Sequence, residues 1–297
     1  MKKKLILTIT SVICIFALTV IIKNAFSYRL PNDAMGVRAV ISRAGIDTLF
    51  IGSSAYRKGI DMSAFADKAF MLTYNGNEPL NILIELEEII SEGAMPRRVI
   101  IEFNPSMMDR GADLSDKRLL WDISMSGKIK LWRAIVADEG FDFFTFYDYW
   151  VLSNNDYMVT YPVSYKLVSS RYYLGGGVPS EDSPSLSEDD LRELSVAENP
   201  GLNELQLESL EKIMELLDEN GIEYLFLESP RFVTMAENEN YAAKKRDMCR
   251  FLDEMGADYI LEEDLDFDTS NADFFSDLTH MSGEGKREYT QKISELL

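Results

Sequence analysis

Apolar residues recur along this chain in two alternating rhythms. Short buried runs, Asp47 to Ile51, Ala69 to Tyr74, Arg98 to Phe103, Ile222 to Leu227 and Ala257 to Leu261, read as strands. Between them, Pro79 to Gly93, Asn203 to Asn220 and Asn238 to Met255 read as helices. In the first, Leu80, Ile82, Leu83, Leu86, Ile89 and Ile90 share helical spacing, and glycines at 93, 221 and 256 supply the stops. Leu30 to Gly45 reads as a linker and lead-in helix, and Gly285 to Leu297 as a closing helix. Strand–helix alternation of this kind predicts an α/β fold. Its expected form is three α/β/α layers around a doubly wound parallel sheet of about five strands.

Two segments depart from the rhythm. Residues 1–27 carry Lys2, Lys3 and Lys4, then an uncharged apolar run from Leu5 to Ile22, then Lys23. That run is at the short end of what spans a bilayer and longer than a usual signal-peptide core. The expectation is a single-pass anchor with its amino end in the cytoplasm and residues 28–297 outside the cell membrane. Cleavage after Ala25 or Ser27 is the alternative. The second departure is an insertion over about residues 106–200, expected to be mainly helical and to cap the active edge. It holds Phe141, Phe143, Phe144, Phe146, Tyr147, Tyr149 and Trp150, a Gly175-Gly176-Gly177 run, and an acidic stretch at Glu188-Asp189-Asp190. The aromatics read as the insertion's own core, with a sugar-stacking surface or a face for a membrane partner as the functional alternatives.

Composition narrows the choices. With 297 residues, 46% hydrophobic and 27% charged, the chain can bury one large domain or one domain with an insertion. Two cysteines make no disulfide framework, and Cys249 reads as a buried thiol. One histidine and no Cys-x-x-Cys leave no metal site to expect, and no cofactor motif is present. Asp264, Asp266 and Asp268 alternate like the start of a calcium loop, but Thr269 replaces its glycine and Phe275 its glutamate. Setting aside the four leader lysines, 26 basic residues face 50 acidic ones, a net charge of −24. Such a body repels nucleic acid and fits a free polyanion poorly. A neutral polysaccharide, or a substrate handed over by a partner, is easier to accommodate.

The candidate chemistry sits at two distant places. The strand ending at Ile51 runs into Gly52-Ser53-Ser54 and then a helix, a mount that exposes a hydroxyl beside free helix N–H groups. Helix capping by Ser53 or Ser54 is the plainer reading. At the far end stands Asp277-Leu278-Thr279-His280, which contains the sole imidazole. A carboxylate three residues before a histidine can hold its Nδ1 and fix the tautomer.

Together these blocks resemble the SGNH, or GDSL-like, hydrolase superfamily, with its flavodoxin-like three-layer sandwich. Ser53 stands where that family has aspartate, a departure shared by the DltD-like branch associated with polysaccharide and teichoic-acid acylation. The resemblance implies Ser54 as nucleophile, His280 as base and Asp277 as its orienting acid. It also implies an oxyanion hole from the Ser54 N–H, the Gly76 N–H and the Asn104 side-chain amide. An extracytoplasmic serine esterase or O-acyltransferase follows, working on a cell-envelope polymer or acylated sugar beside a membrane-bound O-acyltransferase. A non-catalytic accessory module of the same fold is the alternative.

Overall fold

The computed structural model describes residues 2–27, 36–42, 45–65, 69–112, 114, 116–117, 119–152, 183–195 and 198–297. The Gly175-Gly176-Gly177 run lies outside them. In chain order the core elements begin with α1 (Lys2–Ser27), α2 (Gly36–Ser42), β1 (Thr48–Gly52), α3 (Ser54–Gly59), β2 (Ala69–Thr73), α4 (Pro79–Ser91) and β3 (Arg98–Phe103). The segment after β3 contributes α5 (Leu119–Asp122), α6 (Met125–Glu139), α7 (Phe143–Tyr147), a π-helical turn at Asp148–Leu152, and α8 (Glu188–Glu193). Regular alternation then returns with α9 (Glu204–Glu219), β4 (Glu223–Glu228), α10 (Val233–Ala236), α11 (Glu239–Met255), β5 (Tyr259–Ile260) and α12 (Gly283–Ser294).

The five strands form one parallel sheet in the order β2-β1-β3-β4-β5. The winding therefore reverses between β1 and β3. In sheets of this kind the crevice beyond the carboxyl ends of the strands at such a switch point is where ligands bind. Ser54 is the second residue beyond β1, at that edge. The period-two alternation of a strand divides the core between the two faces. Leu49 and Ile51 pack with α2 and α4, along with Val99, Ile101, Leu210 and Leu217, while Phe50 turns to Tyr56, Ile100, Leu227 and Tyr289 on the other side.

Local chemistry explains where elements stop. Asn203 caps α9 by accepting the N–H of Leu205 at 2.9 Å. Gly256 ends α11 in the left-handed region at φ +70°, which a side chain disfavours. Pro79 opens α4, whose buried Glu78 and Leu80 ends are met by Gln206 of α9. Most boundaries shift by a residue or two from expectation, and two of the shifts have a visible cause. β5 shrinks to Tyr259–Ile260 because it is an edge strand paired only to Phe226 and Leu227. α12 starts at Gly283, since Ser282 accepts the N–H of Gly285 at 3.2 Å and caps it there.

The described part of the 106–200 segment is helical. Its aromatics split into two groups rather than forming one core. Trp132 of α6 packs its ring against Phe146, Tyr149 and Trp150, whereas Phe141, Phe143 and Phe144 are 66%, 63% and 79% exposed, Phe141 keeping an edge-on contact with Trp132. The buried Lys244 ammonium ties both ends of the segment to α11, pairing with Asp109 at 2.7 Å and with Glu198. The returning chain then runs along the His280 loop, where Leu186 donates to the Phe275 carbonyl and Gly283 to the Ser183 carbonyl.

α1 is a continuous helix with Ile6, Ile9, Ile13, Phe16, Leu18 and Ile21 exposed. Among the described residues no helix is long and apolar enough to cross a membrane.

Candidate active site

The turn after β1 divides its two serines between two tasks. Ser53, 3% exposed, is the N-cap of α3: its hydroxyl oxygen accepts the Ala55 N–H at 3.2 Å. Its own N–H and hydroxyl donate to the Glu102 carboxylate, the latter at 3.1 Å. Ser54 is thereby left out of the capping and its half-buried hydroxyl turns to the other end of the chain. Ser54 Oγ lies 2.9 Å from His280 Nε2, across 226 residues of sequence.

His280 is held from behind. Its Nδ1 is 2.7 Å from Asp277 Oδ2, while Asp277 Oδ1 accepts the backbone N–H groups of Thr279 and His280, each at 2.8 Å. One carboxylate thus folds the loop with one oxygen and orients the ring with the other. Burial alone would raise the Asp277 pKa. The hydrogen bond and charge of His280, with the Thr279 N–H and hydroxyl, outweigh it and hold the carboxyl well below the usual range. With Asp277 ionised and accepting the Nδ1 proton, Nε2 is the lone-pair nitrogen that faces the serine hydroxyl. That arrangement can draw the hydroxyl proton as the oxygen attacks an electrophile.

No family model and no curated protein matches the chain. The site is therefore read from its own geometry.

The residues expected at an oxyanion hole behave differently from one another. Gly76 sits in the turn after β2 at φ +56°, half-buried at the same sheet edge as Ser54. That turn is stitched to β1 where the Asn77 amide donates to the Gly52 carbonyl at 3.2 Å. Asn104 follows β3 and is buried, but its amide N–H groups go to Glu102 Oε1 at 3.0 Å and Ser53 Oγ at 3.5 Å. As placed, Asn104 supports the nucleophile turn, and donating to a substrate would require its amide to leave these acceptors.

Two buried charged residues beside the site carry no signal in the motifs of the sequence. Glu102 occupies an interior position of β3, 5% exposed, and reads in sequence as a polar residue closing an apolar strand. Arg231, 2% exposed, follows β4 in a Ser-Pro-Arg turn. Their charged groups lie 3.5 Å apart beneath the site. The usable signal was a charged residue near the carboxyl end of β3 and another three residues beyond β4, the edge where a doubly wound sheet builds its sites.

Beyond Arg231 lies a second charge cluster, in which Glu228 and Glu262 are buried and Glu263 is exposed. The carboxylates of Glu228, Glu262 and Glu263 come within 4.8 Å of one another. The Lys245 ammonium sits among them, 2.8 Å from Glu228 and 2.9 Å from Glu263. Burial, then the charge of Glu228, pushes the Glu262 carboxyl up to about 7. Burial likewise pushes the Cys249 thiol up to about 11, which makes it a poor nucleophile at neutral pH.

Proposed function

We propose that this chain is an extracytoplasmic serine esterase or O-acyltransferase of the SGNH-like, DltD-like type. The observation that carries the reading is the relay from Ser54 Oγ to His280 Nε2 at 2.9 Å and from His280 Nδ1 to Asp277 Oδ2 at 2.7 Å. His280 takes the Ser54 proton as Oγ adds to an ester or thioester carbonyl. Asp277 stabilises the imidazolium so formed, which then protonates the departing alcohol or thiol. The acyl group left on Ser54 passes to water or to a sugar hydroxyl, with His280 repeating its part in reverse. The Gly52-Ser53-Ser54 and Asp277-x-x-His280 blocks, at the first strand end and before the last helix, agree with that family's order.

The −24 charge of residues 28–297 favours a neutral cell-envelope polysaccharide, or an acyl group delivered by a membrane-bound O-acyltransferase, over a free polyanion. An anchor over residues 1–27 belongs to this reading on its sequence pattern alone: α1 exposes its apolar side chains, but among the described residues no helix is long and apolar enough to cross a membrane. A second reading, a non-catalytic accessory module, draws on one observation: the Asn104 amide is engaged by Glu102 and Ser53. A fluorophosphonate serine probe decides between them. Labelling that disappears in Ser54→Ala and in His280→Ala supports the enzyme. A wild-type protein that never labels supports the accessory module.

A further inference from the structure

The nucleophile and the base are each preceded by a residue bound to the same buried ion pair. Glu102 accepts the N–H and the hydroxyl of Ser53, one residue before Ser54. Arg231 donates through Nη1 to the Thr279 carbonyl at 2.8 Å, one residue before His280. Nη2 of Arg231 lies 3.5 Å from Glu102 Oε1, closing the span between the two. Both side chains are 2% exposed, so the attraction is poorly screened by water. Burial opposes the Arg231 charge, but Tyr241, Glu102, Glu228 and Glu262 outweigh it and raise its pKa. The backbone makes room for this pair: a Cβ on Gly52 would stand 2.6 Å from Glu102 Oε2.

We propose that Glu102 and Arg231 are positioning residues, a buried strut that sets the distance between the Ser54 hydroxyl and the His280 imidazole. The proposal deepens the acyl-transfer reading of this site and rests on it. α3 and α12, the helices that follow the Ser54 turn and the His280 loop, pack together and bring the two near each other, and the strut links them a second time at the residues just before Ser54 and His280. The spacing is transmitted by a carboxylate on β3 and a guanidinium after β4, two strands that are hydrogen-bonded neighbours. A fault in the strut acts on the relay as a misplacement, and a displacement of about 1 Å is worth about a hundredfold in rate.

The test uses the full chain in detergent micelles and the fact that it has a single histidine, so imidazole NMR signals report on His280 alone. Glu102→Gln keeps the volume but sets an NH2 against donors. It should slow fluorophosphonate labelling of Ser54 about tenfold to a hundredfold. It should also move the His280 signals toward those of Ser54→Ala, in which the same hydrogen bond is lost. The double variant Glu102→Gln/Arg231→Met removes both charges and avoids stranding one. It should show the same loss, not the product of two losses. Should the single variant fail to fold, the double variant carries both readouts. Either readout left at its wild-type level in a folded variant overturns the proposal. A wild-type protein that never labels would end the acyl-transfer reading instead, and the His280 signals would then decide the strut by themselves.

Discussion

The Ser54 turn and the His280 loop meet at one point but are built on opposite principles. The serine is delivered by regular structure: a buried strand, a cap and a six-residue helix set its backbone. The histidine stands in a loop with one isolated bridge, Phe275 to Met281, and is organised by side chains bonding to backbone. Asp277 folds it from within, and Ser276 donates to the His280 carbonyl at 3.2 Å. Ser54 is thus placed by the sheet and by a sequence-distant carboxylate bonded to its neighbour Ser53, whereas His280 is ordered by side-chain bonds to the backbone of its own loop.

The largest expected effect tests whether the two regions form one unit. Ser54→Ala and His280→Ala should each reduce probe labelling or esterase turnover by about 10⁴- to 10⁶-fold, and the double variant should be no worse than either. Additive losses would mean that the two act separately. Asp277→Asn should cost about 10³- to 10⁴-fold with the fold intact, because the amide favours the wrong imidazole tautomer. Activity within tenfold of wild type would show that backbone contacts suffice to orient the ring.

Steric variants separate the regions further. A Cβ on Gly285 in α12 would lie 2.1 Å from the Phe274 carbonyl oxygen, an obstacle of backbone at the base of the histidine loop. Gly285→Ala should destabilise the protein by about 1–3 kcal/mol, read from a denaturant midpoint. Gly52→Ala would bring its Cβ to 2.6 Å from both the Cβ and Oε2 of Glu102, a less severe approach than 2.1 Å, and should cost less. A reversed order would mean that the Ser54 turn is the more rigid of the two.

The smallest effect concerns pH. Asp277 has a folded pKa depressed below its unfolded value near 3.9, so its contribution is present above that value and lost as pH falls through the folded one. The stability gap between wild type and Asp277→Asn should therefore be full at pH 7 and shrink below about pH 4. A gap that stays constant to pH 3 would show that the carboxylate charge contributes nothing to holding the loop.

Much of the α/β body was legible in the residues themselves. Runs such as Val99 to Phe103 between glycine-stopped helices leave a strand as the only way to bury every side chain, and β3 appears at its expected limits. The choice of Ser54 was what the resemblance implied, but a hydroxyl at Ser53 or Ser54, the Asp277 carboxylate and the sole imidazole, His280, were legible as candidates from their places at strand or helix ends. Glu102 and Arg231 were not, since a charged residue at a strand end reads as solvated until its neighbours are known. Nor was the use of the Asn104 amide, which the resemblance assigned to substrate and the fold directs to Glu102 and Ser53. The aromatic segment divided because packing against Trp132 accommodates some rings and leaves Phe143 and Phe144 outside.

By itself the sequence determined the alternation, the helix stops and the identity of the reactive groups, all of which depend on residues within a few positions of each other. Only the tertiary structure decided which of two adjacent serines faces the imidazole and what holds the pair together. Those outcomes depend on distances between residues more than 100 positions apart, and such distances are fixed by the sheet order and by buried charges that must find each other when water is excluded.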